Sequence, residues 1–304
     1  MAIKITSTKN YAVDGVKVLI SGPAGIGKTM IASTAPSPII ISAEAGLLSL
    51  AGLDVPVIEV TTVAGVTEAY EFLTSSKEAE QYKTICLDSI SEIGEVLLTE
   101  YKKLSKDPRA AYGQLNDDMA TLIRSFRDIR GKHVYFSAKQ TRLAEEDSGR
   151  VYYKASMPGK SLLAGLPYFF DEVFVMNLGK LEDGTIYRYL QTGKTLAHED
   201  CKDRSGRLEM VEKPDLTYIF DKIAQPQEPV ITSDESTQEK VAGARQEFLL
   251  KELSIGMAKD AYASFVQKIS VDMDNRDRLD MMEKAHDEMI KHFNNNEQTK
   301  TKEK

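Results

Sequence analysis

An α/β fold with a mostly parallel central sheet flanked by helices is what this sequence predicts, and three observations predict it. From Val16 to about Ile223, short β-rich runs alternate with segments of helical periodicity, as in strands joined by crossover helices. Several of the runs are apolar throughout, as in strands covered on both faces. The first run also leads directly into a glycine-rich turn and a helix-compatible segment, a junction built for phosphate.

Taken in order, the strand candidates are 16–21, 38–42, 55–60, 84–87, 133–138, 172–176 and 185–191. Helical periodicity is clearest over 90–104 and 113–129, the second with Leu115, Met119, Leu122, Ile123 and Phe126 on one face. Residues 1–223 read as one core. The stretch 224–240 (AQPQEPVITSDESTQEK) is polar, holds two prolines and reads as a linker. Residues 241–293 form a C-terminal helical region, with Phe248, Leu249, Leu253 and Met257, then Tyr262, Phe265, Val266 and Ile269, at helical spacing. Leu279, Met282, Met289 and Phe293 follow along one side of a last helix, and the polar tail 294–304 is expected to be disordered.

The bulk numbers set bounds. With 304 residues, 42% of them hydrophobic, the chain can bury a sizeable core. No apolar run is long enough to span a bilayer, and Met1-Ala2-Ile3-Lys4 lacks the apolar stretch of a signal peptide. Cys86 and Cys201 lie far apart, and neither they nor the four histidines show metal-ligand spacing. The expectation is a reducing cytoplasm and no membrane partner. A net charge of −7 argues against coating nucleic acid by bulk electrostatics, while leaving room for a local basic groove.

The turn itself is Gly22-Pro23-Ala24-Gly25-Ile26-Gly27-Lys28-Thr29, which satisfies G-x-x-x-x-G-K-[ST] at every fixed position. Glycines let backbone N–H groups curl round phosphate oxygens, and the helix that continues through Met30 aims its positive end at them. Lys28 reaches the β- and γ-phosphates and the Thr29 hydroxyl ligates Mg²⁺, so the implied ligand is ATP with Mg²⁺. The run Thr84-Ile85-Cys86-Leu87-Asp88-Ser89 ends in an acid suited to hold the metal's hydration shell beside Thr29. Hydrolysis also needs a carboxylate to activate water. Glu44, after the strand 38–42, and Glu92, just beyond Asp88, both qualify, and spacing alone does not separate them.

Residues 39–46 (IIISAEAG) followed by 84–90 (TICLDSI) resemble the RecA family pattern, a strand ending in Asp-Ala-Glu and a later one ending in Asp-Ser. The resemblance implies a RecA-like P-loop core and assigns the catalytic carboxylate to Glu44, although Ser42 stands where that family often has an acid. In 133–140 (HVYFSAKQ) it puts Gln140 where the family has a glutamine that senses the γ-phosphate and leads into a DNA-binding loop. More narrowly, the chain is similar over residues 15–220 to compact phage RecA-like ATPases, which include the Sak-type single-strand annealing proteins. The shared pieces include Ala138-Lys139-Gln140-Thr141-Arg142, Pro158-Gly159-Lys160, Phe170-Asp171-Glu172-Val173 and Lys202-Asp203-Arg204-Ser205-Gly206.

That resemblance implies an ATPase acting on single-stranded DNA in phage recombination or annealing, assembled as a homo-oligomeric ring or filament. Arg142, Arg150, Lys154 and Lys160, with Tyr152 and Tyr153 between them, supply cations for phosphates and rings for unpaired bases. Lys202 and Arg204 are candidates for cations inserted into a neighbouring subunit's site. A single-strand-binding protein is a further possible partner, without a motif to support it. Two alternatives stay open: a nucleotide-gated, non-catalytic DNA-binding module, and a P-loop enzyme with another acceptor.

Overall fold

The computed structural model describes residues 15–225, apart from 45, 146–148 and 182, together with 246, 249, 250, 253, 259–269, 277, 278, 281–286 and 288. At 160, 161, 163, 259, 260 and 262 it describes the backbone alone. Most of the expected linker and tail, and much of the expected C-terminal helical region, lie outside these residues. The chain divides into two compact units, one of residues up to Ala144 plus Val151–Gln225, the other of Glu145–Arg150 plus residues from Pro226 on.

Six strands of the first unit run parallel, five of them before the first hairpin and β8 (Glu172–Lys180) after it. The first five are β1 (Lys17–Ser21), β2 (Pro38–Ser42), β3 (Val57–Glu59), β4 (Thr84–Asp88) and β5 (His133–Ala138). Two hairpin pairs follow, β6 (Gln140–Ala144) with β7 (Val151–Ala155), and β8 with β9 (Ile186–Gln191); β10 (Lys202–Asp203) and β11 (Val211–Glu212) are short edge pieces. The main sheet has the order β11-β9-β8-β1-β5-β4-β2-β3, with β10 also on β8. Pairing is parallel from β8 through β1, β5, β4 and β2 to β3, and antiparallel where β9, β10 and β11 join.

The continuous apolar strands sit where two cores meet. Leu19, Ile39, Ile41, Ile85, Leu87, Val134 and Phe136 point to one face, under helices α2 (Val63–Ser75), α3 (Ile90–Leu104) and α4 (Pro108–Arg127). The alternate residues Val18, Ile20, Ile40, Cys86 and Tyr135 point to the other, with α1 (Lys28–Ala32) and, far along the chain, α6 (Leu216–Ala224). Each such side chain contributes about 1.5–3 kcal/mol when fully buried, so packing on both faces sets the position of these strands. The buried thiols Cys86 and Cys201 are free.

Several expected boundaries shift for identifiable reasons. The helix predicted over 113–129 begins earlier, because Asp107 caps it and Pro108 opens it, the Asp107 carboxylate accepting from Arg109 N at 2.9 Å. The segment read as a loop after Gln140 is a two-stranded hairpin, with Arg142 opposite Tyr153 and Leu143 opposite Tyr152. Strand 172–176 runs on to Lys180 because β9 pairs along its second half. In the second unit, α7 (Lys259–Lys268) contains part of the apolar spacing read from the sequence, and Leu249, Leu253 and Met282 are buried. Among the described residues no helix is long and apolar enough to cross a membrane.

Candidate functional site

The parallel strands β1, β2, β4 and β5 all end at one edge of the sheet, with Ser21 beside Ala138 and Ser42 beside Asp88. Open α/β sheets bind ligands outside this carboxyl edge, and the residues predicted for chemistry converge there.

The loop from Gly22 to Gly27 leaves β1 and is moored at its middle by Ile26, which is buried in the second core. Pro23, Ala24 and Gly25 are exposed at the rim, and Met30 is partly exposed on α1. Gly27 has φ +113°, so the chain turns left-handed just before the helix. A Cβ there would also lie 3.3 Å from Met176 Cε and 3.4 Å from Arg188 Nε. Such a turn directs successive N–H groups into one concavity, a natural anion seat. Arg188 of β9 braces the loop from outside, donating from Nε to Ile26 O at 2.7 Å. On the other side, the fully buried Tyr135 donates its hydroxyl to Lys28 O at 2.9 Å.

Lys28 curls its ammonium across this concavity and donates to Gly22 O and Pro23 O, both at 2.9 Å. Burial lowers its pKa, a trend opposed by the carboxylates of Glu44 and Asp88 and reinforced by Lys139. Asp88 is buried at the end of β4 and accepts two hydroxyls, Thr29 Oγ1 at 2.6 Å and Ser137 Oγ at 2.5 Å. The Thr29 and Asp88 oxygens thus stand side by side, the hard oxygen set that suits Mg²⁺, and the cradle with its lysine suits a nucleotide's phosphates. The residues present therefore fit ATP and Mg²⁺.

Glu44 and Glu92 both reach this edge, held by one residue between them. Ser89 Oγ donates to Glu44 Oε1 at 2.6 Å and accepts from Glu92 N at 3.3 Å, capping α3. Ser42 Oγ fixes the Glu44 backbone, donating to its carbonyl at 2.7 Å. A serine where the RecA pattern often has an acid thus acts as a local brace. The two glutamates differ in partner: Glu92 is ion-paired with Lys139, whereas Glu44 Oε1 lies 3.9 Å from the same ammonium and close enough to Lys28 to act on its charge.

Gln140 opens β6 opposite Ala155, and its Nε2 is buried without a hydrogen-bond partner among the described residues. No hydrogen bond joins it to the phosphate loop; the residue of that segment that reaches the carboxylates is Lys139. Lys139, Ser89, Ser137, Tyr135 and Arg188 were not singled out from sequence. Ser137 carried a signal, as a hydroxyl at the end of the apolar run 134–138 on the sheet face that Asp88 shares.

The DNA-binding candidates have varied surroundings. Arg142 is exposed on β6. Lys154 on β7 pairs with Glu199 at 3.0 Å and Asp200 at 3.6 Å, and lies 5.7 Å from the Tyr152 ring. Tyr153 tilts against His198, ring centroids 5.4 Å apart. Arg150 pairs with Glu145 at 2.7 Å. The Lys160 backbone opens α5 (Lys160–Gly165), and its side chain lies outside the described residues. Lys202 and Arg204 stand by the start of β8, where Asp203 pairs with Glu172 and Glu172 with Val18, away from the phosphate loop of their own chain. Arg204 there pairs with Asp171 at 2.7 Å.

A family described as an AAA domain matches residues 14–205, a span that contains every residue of the carboxyl-edge site. Among solved structures, a KaiC-like protein from the hyperthermophilic archaeon Pyrococcus horikoshii OT3 is similar at 15% identity and a TM-score of 0.31, over 58% of this chain and 78% of that one. No curated protein sequence matches.

Proposed function

We propose, given that the chain belongs to the AAA domain family, that it binds and hydrolyses ATP with Mg²⁺ and couples this to single-stranded DNA. The observation that carries the reading is the convergence of Lys28, Thr29, Asp88 and Glu44 at one sheet edge, each held by a named hydrogen bond. Lys28 leaves the carbonyls of Gly22 and Pro23 for the phosphates, while the backbone of 22–29 wraps them. Thr29 and Asp88 hold Mg²⁺, whose charge offsets that of the phosphate oxygens when it is bound. Glu44, kept in place by Ser89, orients water and accepts its proton.

The finer reading adds DNA and a second copy. The β6–β7 hairpin follows directly from Lys139 and Gln140 and presents Arg142, so a change at the nucleotide has a short path to a cationic ribbon. Lys202 and Arg204, remote from their own loop, are the residues we assign to a neighbouring subunit's nucleotide in a homo-oligomer. Phage recombination or annealing of single strands is the activity this combination serves.

The test is steady-state ATP hydrolysis with Mg²⁺, with and without single-stranded DNA, beside Lys28→Ala. Hydrolysis stimulated by DNA and lost in the variant is the expected result. Hydrolysis indifferent to DNA would remove the DNA half of the proposal, and nucleotide-dependent DNA binding without turnover would favour a nucleotide-gated module.

A further inference from the structure

Beside the lysine of the phosphate loop stands a second one to which the ATP reading gives no task. Lys139 follows directly on β5, and its backbone N donates to Ser91 Oγ at 2.9 Å, which in turn donates to Ser156 O at 2.6 Å. The start of the side chain is thus fixed at the carboxyl edge of the sheet. Its end is less constrained, 48% exposed, paired with Glu92 and 3.9 Å from Glu44. The Glu44 carboxylate and the Lys139 ammonium both act on the charge of Lys28. The two lysines therefore border the same carboxylate, Glu44, one from the loop after β1 and one from the end of the adjacent β5.

An exposed lysine–glutamate pair is ordinarily a surface feature of small net value. That small value is what makes this pair a usable latch. A triphosphate seated on Lys28 brings several negative charges against the single one of Glu92, and the flexible lysine stem lets the ammonium follow the stronger field. A diphosphate ends one phosphoryl group short and offers much less on the side of β5.

We propose that Lys139 is a second phosphate-reading cation, parked on Glu92 and transferred to the terminal phosphate of a nucleoside triphosphate, so that it discriminates ATP from ADP. The assignment rests on the ATP reading above and deepens it. It moves the sensing role at the end of β5 from Gln140 to its neighbour. It also gives Glu92 a role apart from catalysis, as the competitor that sets how readily the cation is released. Transfer of Lys139 moves positive charge away from the Glu92–Glu44 side and leaves Glu44 with Ser89 as its donor.

The test is calorimetric binding of a non-hydrolysable ATP analogue and of ADP, both with Mg²⁺, to the full chain and to Lys139→Met, Glu92→Gln and the double variant. Lys139→Met should weaken the analogue by roughly tenfold, the size of one charge-assisted hydrogen bond, and leave ADP within about twofold. Glu92→Gln should tighten the analogue a few-fold in the parent and have no effect once Lys139 is Met. Lys139→Arg should recover most of the preference, which excludes a folding defect as the cause. Equal weakening of analogue and ADP, or a Glu92→Gln effect that persists without Lys139, would overturn the assignment. A parent protein that binds both nucleotides but responds to neither Lys139 variant sinks the latch alone. One that binds neither nucleotide, or binds them equally well as Lys28→Ala, sinks the ATP reading and the latch together.

Discussion

Replacing Glu172 by Gln should make this protein's stability less sensitive to pH between about 5 and 8, and the size of the effect follows from the geometry. Glu172 sits at the start of β8 with 2% of its surface exposed. Its Oε1 accepts from Ser205 N at 3.2 Å, while Oε2 is buried with no donor among the described residues. Burial, and then the neighbouring Asp203 carboxylate, push its pKa from 4.5 up to about 8, with Asp171 adding to the effect. Once protonated, the Glu172 carboxyl is a donor to Asp203. Asp203 itself stays ionised: burial raises its pKa, but hydrogen bonds from Ser205, Leu208 and Gly206, at 2.5, 2.8 and 3.0 Å, more than offset that. The folded chain thus holds a proton that the unfolded chain releases above pH 4.5. This contribution is fully present below the unfolded pKa of 4.5 and is lost as pH rises through about 8.

The slope within that window is about 1.4 kcal/mol per pH unit, so the loss between about pH 5 and pH 8 is on the order of 3 kcal/mol. Glutamine reproduces the protonated carboxyl, its amide donating to Asp203 and its carbonyl accepting from Ser205. Urea midpoints of both proteins, taken across this range, isolate the term. His133 works in the opposite direction, since burial and then Lys17 depress it to about 4 and its share is lost as pH falls below its usual 6.5. It is common to both proteins and cancels in the difference. A stability gap between Glu172→Gln and the parent that stays constant from pH 5 to pH 8 refutes the shared-proton account.

Three further substitutions probe the nucleotide edge. Glu44→Gln should lower the rate of ATP hydrolysis by about a hundredfold or more while nucleotide affinity changes only a few-fold, measured by single-turnover kinetics and binding. Normal turnover in that variant would return the catalytic role to Glu92. Tyr135→Phe removes the buried donor to Lys28 O and leaves that carbonyl to find another partner, which should cost about 1–3 kcal/mol in denaturant unfolding. Gly94→Ala puts a Cβ 2.9 Å from Pro158 Cγ and 3.0 Å from its Cδ, where α3 lies against the segment after β7. The overpacking should cost about 1–3 kcal/mol, read in the same unfolding assay.

The fold was legible wherever strands are buried on both faces, because an all-apolar run between turn residues has few other fates. The runs at 38–42 and 133–138 coincide with β2 and β5. Legibility failed where burial is partial. Thr62 caps α2, accepting from Gly65 N at 3.0 Å, yet neither helix nor cap stood out in 63–75, whose apolar stripe is narrow. The β6–β7 hairpin was hidden for a related reason. Every residue of β7 is half-buried, so Val151-Tyr152-Tyr153-Lys154-Ala155 shows no alternation of apolar and polar residues.

At the site, the distinction runs between residues whose task is set by local backbone and those whose task is set by a partner far along the chain. The phosphate loop belongs to the first kind, since its spacing encodes both the turn and the chemistry. Asp88 lies on the boundary: its position at a strand end was readable, but the hydroxyls that orient it come from Thr29 and Ser137, 59 and 49 residues away. Glu44 and Glu92 were inseparable in sequence because each is simply an acid near a helix start. What distinguishes them is Lys139, which occupies one and leaves the other facing Lys28. That difference arises only when β2, β4 and β5 end side by side, so a lysine that looks like strand-end punctuation becomes the residue that sorts the two carboxylates.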